Sequence, residues 1–134
     1  MATICAGRCK LAEIPCNPNA LFTYGSPRVG NNRYINFVSL KHYRWVNNND
    51  IVCRVPPSWF GYRHTGREMY LNAFGKLRKY TRMRRCRDRC YGFMVSLRKL
   101  QIDHFSDHSM NLYIRYIQNA IQDELDGKIP PVEK

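Results

Sequence analysis

Long apolar runs are missing from this chain. A membrane-spanning helix needs about 20 consecutive apolar residues, and stretches such as Ile51–Cys53 and Tyr91–Leu97 fall far short of that. The opening residues, Met1 to Arg8, place their only charge after a brief apolar stretch, which is not the pattern of a secretory leader. No signal peptide or transmembrane segment is therefore expected, and the compartment stays unassigned. Internal repeats, low-complexity tracts and long linkers are also missing, so the 134 residues read as a single domain. With 44% apolar and 13% aromatic residues the chain can build a packed core, which excludes a disordered polymer.

Negative charge is scarce. Ten acidic residues face twenty-two Lys and Arg, a net charge of +12 that directs attention to anionic partners such as nucleic acid or a membrane surface. The excess is local. The window Lys76–Lys99 holds ten cationic residues against Asp88 alone and accounts for nine of the twelve net positive charges. Cysteine is not rare, with six present, but Cys5/Cys9 and Cys86/Cys90 are four residues apart. On a helix that spacing stacks two thiols on one face and does not cross-link distant segments, so the cysteines are expected to be reduced.

The elements follow from periodicity and punctuation. Ala2–Ile14 reads as a helix stopped by Pro15 and Pro18. Ala20–Tyr24 is a short apolar run ending at Gly25-Ser26-Pro27, the pattern of a strand covered on both faces of a parallel sheet. Asn31–Leu40 has helical spacing and His42–Asn47 returns to strand chemistry, giving one βαβ unit. A hairpin is expected with Tyr62–His64 and Glu68–Leu71 flanking Thr65–Arg67. Arg82–Lys99 reads as a cationic helix with an apolar stripe of Met83, Cys86, Cys90, Phe93, Met94 and Leu97. Asp107–Leu125 reads as a final amphipathic helix, with Met110, Tyr113, Ile114, Ile117 and Ile121 on one side. The expected class is α/β: a short, mostly parallel sheet with an antiparallel hairpin and flanking helices.

Two residues stand where chemistry is usually placed. Asp50 closes the turn-prone Asn47–Asp50 after a strand, and His108 opens the last helix. An acid there can hold an imidazole in one tautomer, and the histidine can take a proton from a hydroxyl. By position alone, the reading of Asp50 as a turn cap and of His108 as a helix opener is favoured over a catalytic one. Three other signals carry less. A four-thiolate zinc site from the two Cys pairs is disfavoured by the Arg-rich surroundings of Cys86 and Cys90 and by their place in an apolar stripe, which points to buried helix cysteines. No cysteine has a motif pairing it with His108 as a nucleophile. The basic helix lacks zinc-finger, helix-turn-helix and stacking-aromatic patterns, so a solvated cationic face is favoured over nucleic-acid binding.

The wording around Asp50 and His108 adds a resemblance. Leu21-Phe22-Thr23-Tyr24-Gly25-Ser26-Pro27-Arg28-Val29-Gly30-Asn31 resembles the strand and loop that follow the nucleophile helix in class 3 lipases, the fungal-lipase-like family. Val46-Asn47-Asn48-Asn49-Asp50-Ile51-Val52-Cys53-Arg54-Val55-Pro56-Pro57 is similar to that family's acid segment, and Gly61–Tyr70 to the hairpin after it. Asp107-His108-Ser109-Met110-Asn111-Leu112-Tyr113 is similar to its histidine segment. Four ordered matches cover about residues 20–115.

The resemblance implies the carboxyl-terminal half of an α/β-hydrolase domain, with Asp50 as triad acid and His108 as triad base. His64 then takes a structural place. His104, in a second Asp-His pair, lacks the Ser-Met-x-x-Tyr continuation that follows His108. The departure is the nucleophile: of Ser26, Ser39, Ser58, Ser96, Ser106 and Ser109, none lies in Gly-x-Ser-x-Gly. Met1–Ala6 is similar to the start of the helix that follows that elbow, so the triad serine and its oxyanion hole are expected to be missing from these residues. The implied reaction is hydrolysis of lipid esters, without a cofactor or metal, and the chain alone is expected to be inactive. The implied partners are a lipid ester and a complementing amino-terminal half; the positive charge adds an anionic membrane surface, and an unpaired edge expected along Ala20–Tyr24, beside Leu21, Phe22 and Tyr24, adds self-association. The competing class is a non-enzymatic module that uses the basic helix within residues 76–99 to hold an anionic membrane or nucleic acid.

Overall fold

The computed structural model describes residues 2–12, 18–78, 81, 83, 84, 86–88, 90, 91, 94 and 108–128. The chain divides into two compact units. One comprises Met1–Val46 with Asp50–Met69, the other Asn47–Asn49 with Tyr70–Lys134.

In the first unit, helix α1 (Ala2–Cys9) is shorter than its apolar pattern suggests, and a turn with Leu11 N–H bonded to the Arg8 carbonyl follows it. It buries Thr3, Ala6 and Gly7, small residues that let a neighbouring ring approach. A Cβ on Gly7 would sit 2.7 Å from the Tyr34 hydroxyl, and one on Gly30 2.6 Å from the same ring. Tyr34 uses the fit to donate a 3.1 Å bond to the Thr3 carbonyl. Strand β1 (Leu21–Tyr24), helix α2 (Asn32–Val38) and strand β2 (His42–Asn47) form the expected βαβ unit, with β1 and β2 parallel and Leu21 opposite His42. The Asn31 side chain caps α2 by accepting the Tyr34 N–H at 3.0 Å, and Ser39 closes it in the left-handed region at φ 33°.

Two expectations need correction here. β1 is not covered on both faces: Thr23 is buried, but Phe22 and Tyr24 are exposed. It stands at one edge of the three-stranded sheet β1-β2-β3, where β3 is Arg67–Leu71. Nor do Tyr62–His64 pair with β3 as a hairpin. Arg63 instead bridges Gly30 in antiparallel fashion, because the loop between Asp50 and His64 is folded on itself by two 3-10 turns, Val52–Arg54 and Ser58–Phe60.

The antiparallel return comes one turn later, in the second unit. Leu71 bridges Leu77 around Asn72, whose side-chain oxygen accepts the N–H groups of Phe74 and Lys76. Met83, Arg84, Cys86–Asp88, Cys90, Tyr91 and Met94 have helical backbone. The apolar stripe expected there is not an inward face: Met83 and Met94 are exposed, as are Cys86 and Cys90, which are not the buried helix cysteines expected. Phe93 and Leu97 lie outside the described residues. Among the described residues, Cys5, Cys9, Cys53, Cys86 and Cys90 are not joined in disulfides. Helix α3 (Met110–Leu125) buries Tyr113 and Ala120, whereas Met110, Ile114 and Ile121 of its expected core face are exposed.

Candidate active site

The carboxyl end of β2 concentrates buried polar side chains. Asn47, Asn48, Asn49 and Asp50 are each no more than 6% exposed. Burying four such groups in a row is costly unless their hydrogen bonds are made. In the first unit, Asp50 Oδ1 accepts the Val52 N–H at 2.8 Å, which orients the carboxylate at the start of a 3-10 turn. The capping role that position alone suggests is real. It does not exclude another, since an ionised carboxylate offers about four acceptor sites.

In the second unit the same tract is tied to α3 and β3. The Asn47 N–H donates to the Tyr113 hydroxyl at 2.9 Å and the Asn48 N–H to the Leu71 carbonyl at 2.9 Å. The Tyr70 hydroxyl lies 3.1 Å from Asn48 Oδ1 and 2.8 Å from Asp88 Oδ2. His108 is half-buried and sits two residues before α3, whose first turn forms as Leu112 and Tyr113 N–H groups bond to the Ser109 carbonyl. Asp50 thus belongs to the first unit and His108 to the second. His104 and Asp107 lie outside the described residues.

A second polar cluster, in the first unit, was not legible in the sequence. His42 lies between Thr23 and Thr65: its Nε2 is 2.8 Å from Thr23 Oγ1, and its Nδ1 bonds to Thr65 Oγ1. Arg44 is 5% exposed, donates from Nε to the Thr65 carbonyl at 2.8 Å and faces Glu68 Oε2 at 3.4 Å. His64 donates from Nε2 to the Cys53 carbonyl at 2.8 Å. Both imidazoles are pushed down to about 4, first by burial and next by the Arg44 charge, so both are neutral near pH 7. Both ring nitrogens of His42 are engaged, and His64 is held through Nε2. The available signal was parity: His42 and Arg44 share the buried face of β2 with Val46. Among the described residues, no three His, Cys, Asp or Glu side chains gather as a metal would need.

The profile of the class 3 lipase family matches residues 1–60, a span that includes β1, β2 and Asp50. Over these residues the chain is class 3 lipase-like. This lipase-like sequence is 46% identical over 67 residues to a secreted mono- and diacylglycerol lipase of Fusarium solani, covering 48% of this chain and 20% of that protein. It is 41% identical over 54 residues to a lipase of Rhizomucor miehei, covering 38% and 15%. Lipase II from Rhizopus niveus is a structural neighbour at 33% identity and a TM-score of 0.48, covering 52% of this chain and 28% of that one. The chain therefore spans a fifth or less of the length of these curated relatives.

Proposed function

We propose that this chain supplies the acid and the base of a serine-dependent hydrolase of lipid esters, with Asp50 as acid and His108 as base. The observation that carries the reading is the family match over residues 1–60, which contains a buried, oriented carboxylate at the end of β2. In such a site the imidazole removes the proton of a serine hydroxyl as it attacks the ester carbonyl. The carboxylate keeps the imidazole in the right tautomer and stabilises the imidazolium that forms. The serine would come from a Gly-x-Ser-x-Gly turn, which none of the six serines here occupies, together with its oxyanion donors. A complementing segment that bears this elbow is the partner the reading calls for.

The test is hydrolysis of p-nitrophenyl butyrate. The 134-residue chain should show no turnover above background. Joined to an elbow-bearing segment of a class 3 lipase, it should gain activity that Asp50→Ala and His108→Ala each lower by about a thousandfold or more, while His64→Ala retains most of it. Activity in the joined protein that is indifferent to His108→Ala would sink the assignment. The competing reading, a binding module that uses the basic region for an anionic membrane or nucleic acid, draws support from Arg84 and Arg87, exposed on helical backbone. Oligonucleotide binding with a steep salt dependence and no preference for ester analogues would favour it.

A further inference from the structure

Helix α1 carries a pair of thiols that the proposed hydrolysis leaves unused. Its inner face is made of Thr3, Ala6 and Gly7, all buried. At about 100° per residue, Cys5 and Cys9 fall about 40° apart on the opposite face. Cys5 is exposed, Cys9 is half-buried, and the two are not joined in a disulfide. The spacing fixes what they can hold. With metal–sulfur bonds of about 2.3 Å, a linear sulfur–metal–sulfur unit spans about 4.6 Å, within reach of two helix side chains whose Cβ atoms are about 5–6 Å apart. Two thiolates on neighbouring turns can therefore close on one ion while the helix stays intact.

The surroundings select the ion. Residues 1–12 contain no Asp, Glu or His, and among the described residues no three His, Cys, Asp or Glu side chains gather into a larger shell. Zinc, which takes four ligands, and hard cations, which take oxygen, are poorly served by such a pair. A soft cation content with two thiolates in line is well served. Its binding releases both thiol protons, and two thiolates around a monovalent cation leave one net negative charge. Arg8, exposed next to Cys9 in the chain, and Lys10, whose Nζ donates to the Phe37 carbonyl at 3.2 Å, supply positive charge beside it.

We propose that Cys5 and Cys9 form a two-coordinate site for a soft monovalent cation, of which copper(I) is the biological example. The site goes beyond the lipid-ester reading and does not depend on it.

The probe is copper(I), supplied anaerobically as its coloured complex with bicinchoninate, whose absorbance falls as the protein takes the metal. The full chain carries Cys86→Ser and Cys90→Ser, which removes the equally spaced pair of the second unit. It should take up one equivalent. Adding Cys5→Ser or Cys9→Ser should each weaken uptake by about a hundredfold or more, since losing a direct ligand costs at least as much as losing an outer partner. Copper-edge X-ray absorption should show two sulfur neighbours. Uptake that survives either single substitution overturns the inference, as does zinc(II) held as tightly as copper(I), because each requires ligands beyond this pair. The unsubstituted chain gives an independent reading. With copper(I) bound, Cys5 and Cys9 should both be shielded from iodoacetamide, read by peptide mass, and shielding of neither or of one alone overturns the inference.

Discussion

On β2, His42, Arg44 and Asn47 are buried while Tyr43 and Trp45 are half-exposed. On α3, Met110, Ile114 and Ile121 are about half exposed while Tyr113 and Ala120 are buried. The two elements reverse the usual sorting of polar and apolar side chains, for reasons that differ. The polar groups of β2 can leave water because each meets a partner: His42 two threonine hydroxyls, Arg44 a carbonyl and a carboxylate, the Asn47 N–H a tyrosine hydroxyl. The apolar groups of α3 share a helical face, but among the described residues Tyr113 and Ala120 are fully covered, Ile117 is half-buried, and Met110, Ile114 and Ile121 are not covered. Alternation and helical spacing say which residues stand on one side of an element. Coverage is a separate matter.

The largest expected effect that would break this comparison is at Arg44. Its Nη1 has no hydrogen-bond partner, so the guanidinium is not perfectly satisfied, yet it is the cation facing Glu68 in a buried setting. Arg44→Ala should destabilise the chain by about 3 kcal/mol, the cost of removing one member of a buried ion pair, read from the urea midpoint. A loss within experimental error would mean that solvent reaches this cluster and that β2 is less enclosed than its burial indicates.

Next in size is a pH effect from the same cluster. His42 and His64 are held near 4 in the folded chain against an ordinary 6.5, so between those values the unfolded chain binds more protons. Their folded forms are neutral and fully accommodated above 6.5. Stability should therefore fall as the pH drops through that window toward 4, and His42→Gln should flatten the slope of the urea midpoint against pH. A slope unchanged in both His42→Gln and His64→Gln would place the acid sensitivity elsewhere.

The smallest effects come from a pair of substitutions on α3. Tyr113→Phe removes the acceptor of the Asn47 N–H and should cost about 1–2 kcal/mol. Ile121→Ser, two turns further on at a half-exposed site, should change stability by no more than about 0.5 kcal/mol. Equal effects at the two sites would show that the apolar face of α3 is covered after all, and would remove the contrast with β2.

Much of the fold was written in local chemistry. Gly25-Ser26-Pro27 after an apolar run ends β1, Asn31 caps α2, and the strand chemistry of His42–Asn47 matches β2 residue for residue, because such signals act within a few residues. Asp50 and His108 were legible as candidates from strand-end and helix-start positions and from the wording around them. The misplaced hairpin has a physical cause. Thr65-Gly66-Arg67 has turn chemistry, but Gly66 uses its positive φ to approach β2 closely, with a Cβ there falling 2.1 Å from the His42 carbonyl oxygen. The preceding residues are engaged instead by Gly30 and Cys53, partners more than ten residues away.

Local chemistry set the order of the elements, the ends of β1 and β2 and the polar tract that follows β2. Packing between segments settled that Arg44 and His42 lie inside, that Tyr113 reaches the Asn47 amide and that Trp59 and Phe60 stand in solvent. Each of those depends on whether a distant segment supplies a partner or a cover. Burial and hydrogen bonding are properties of pairs of segments, and periodicity within one segment does not encode them.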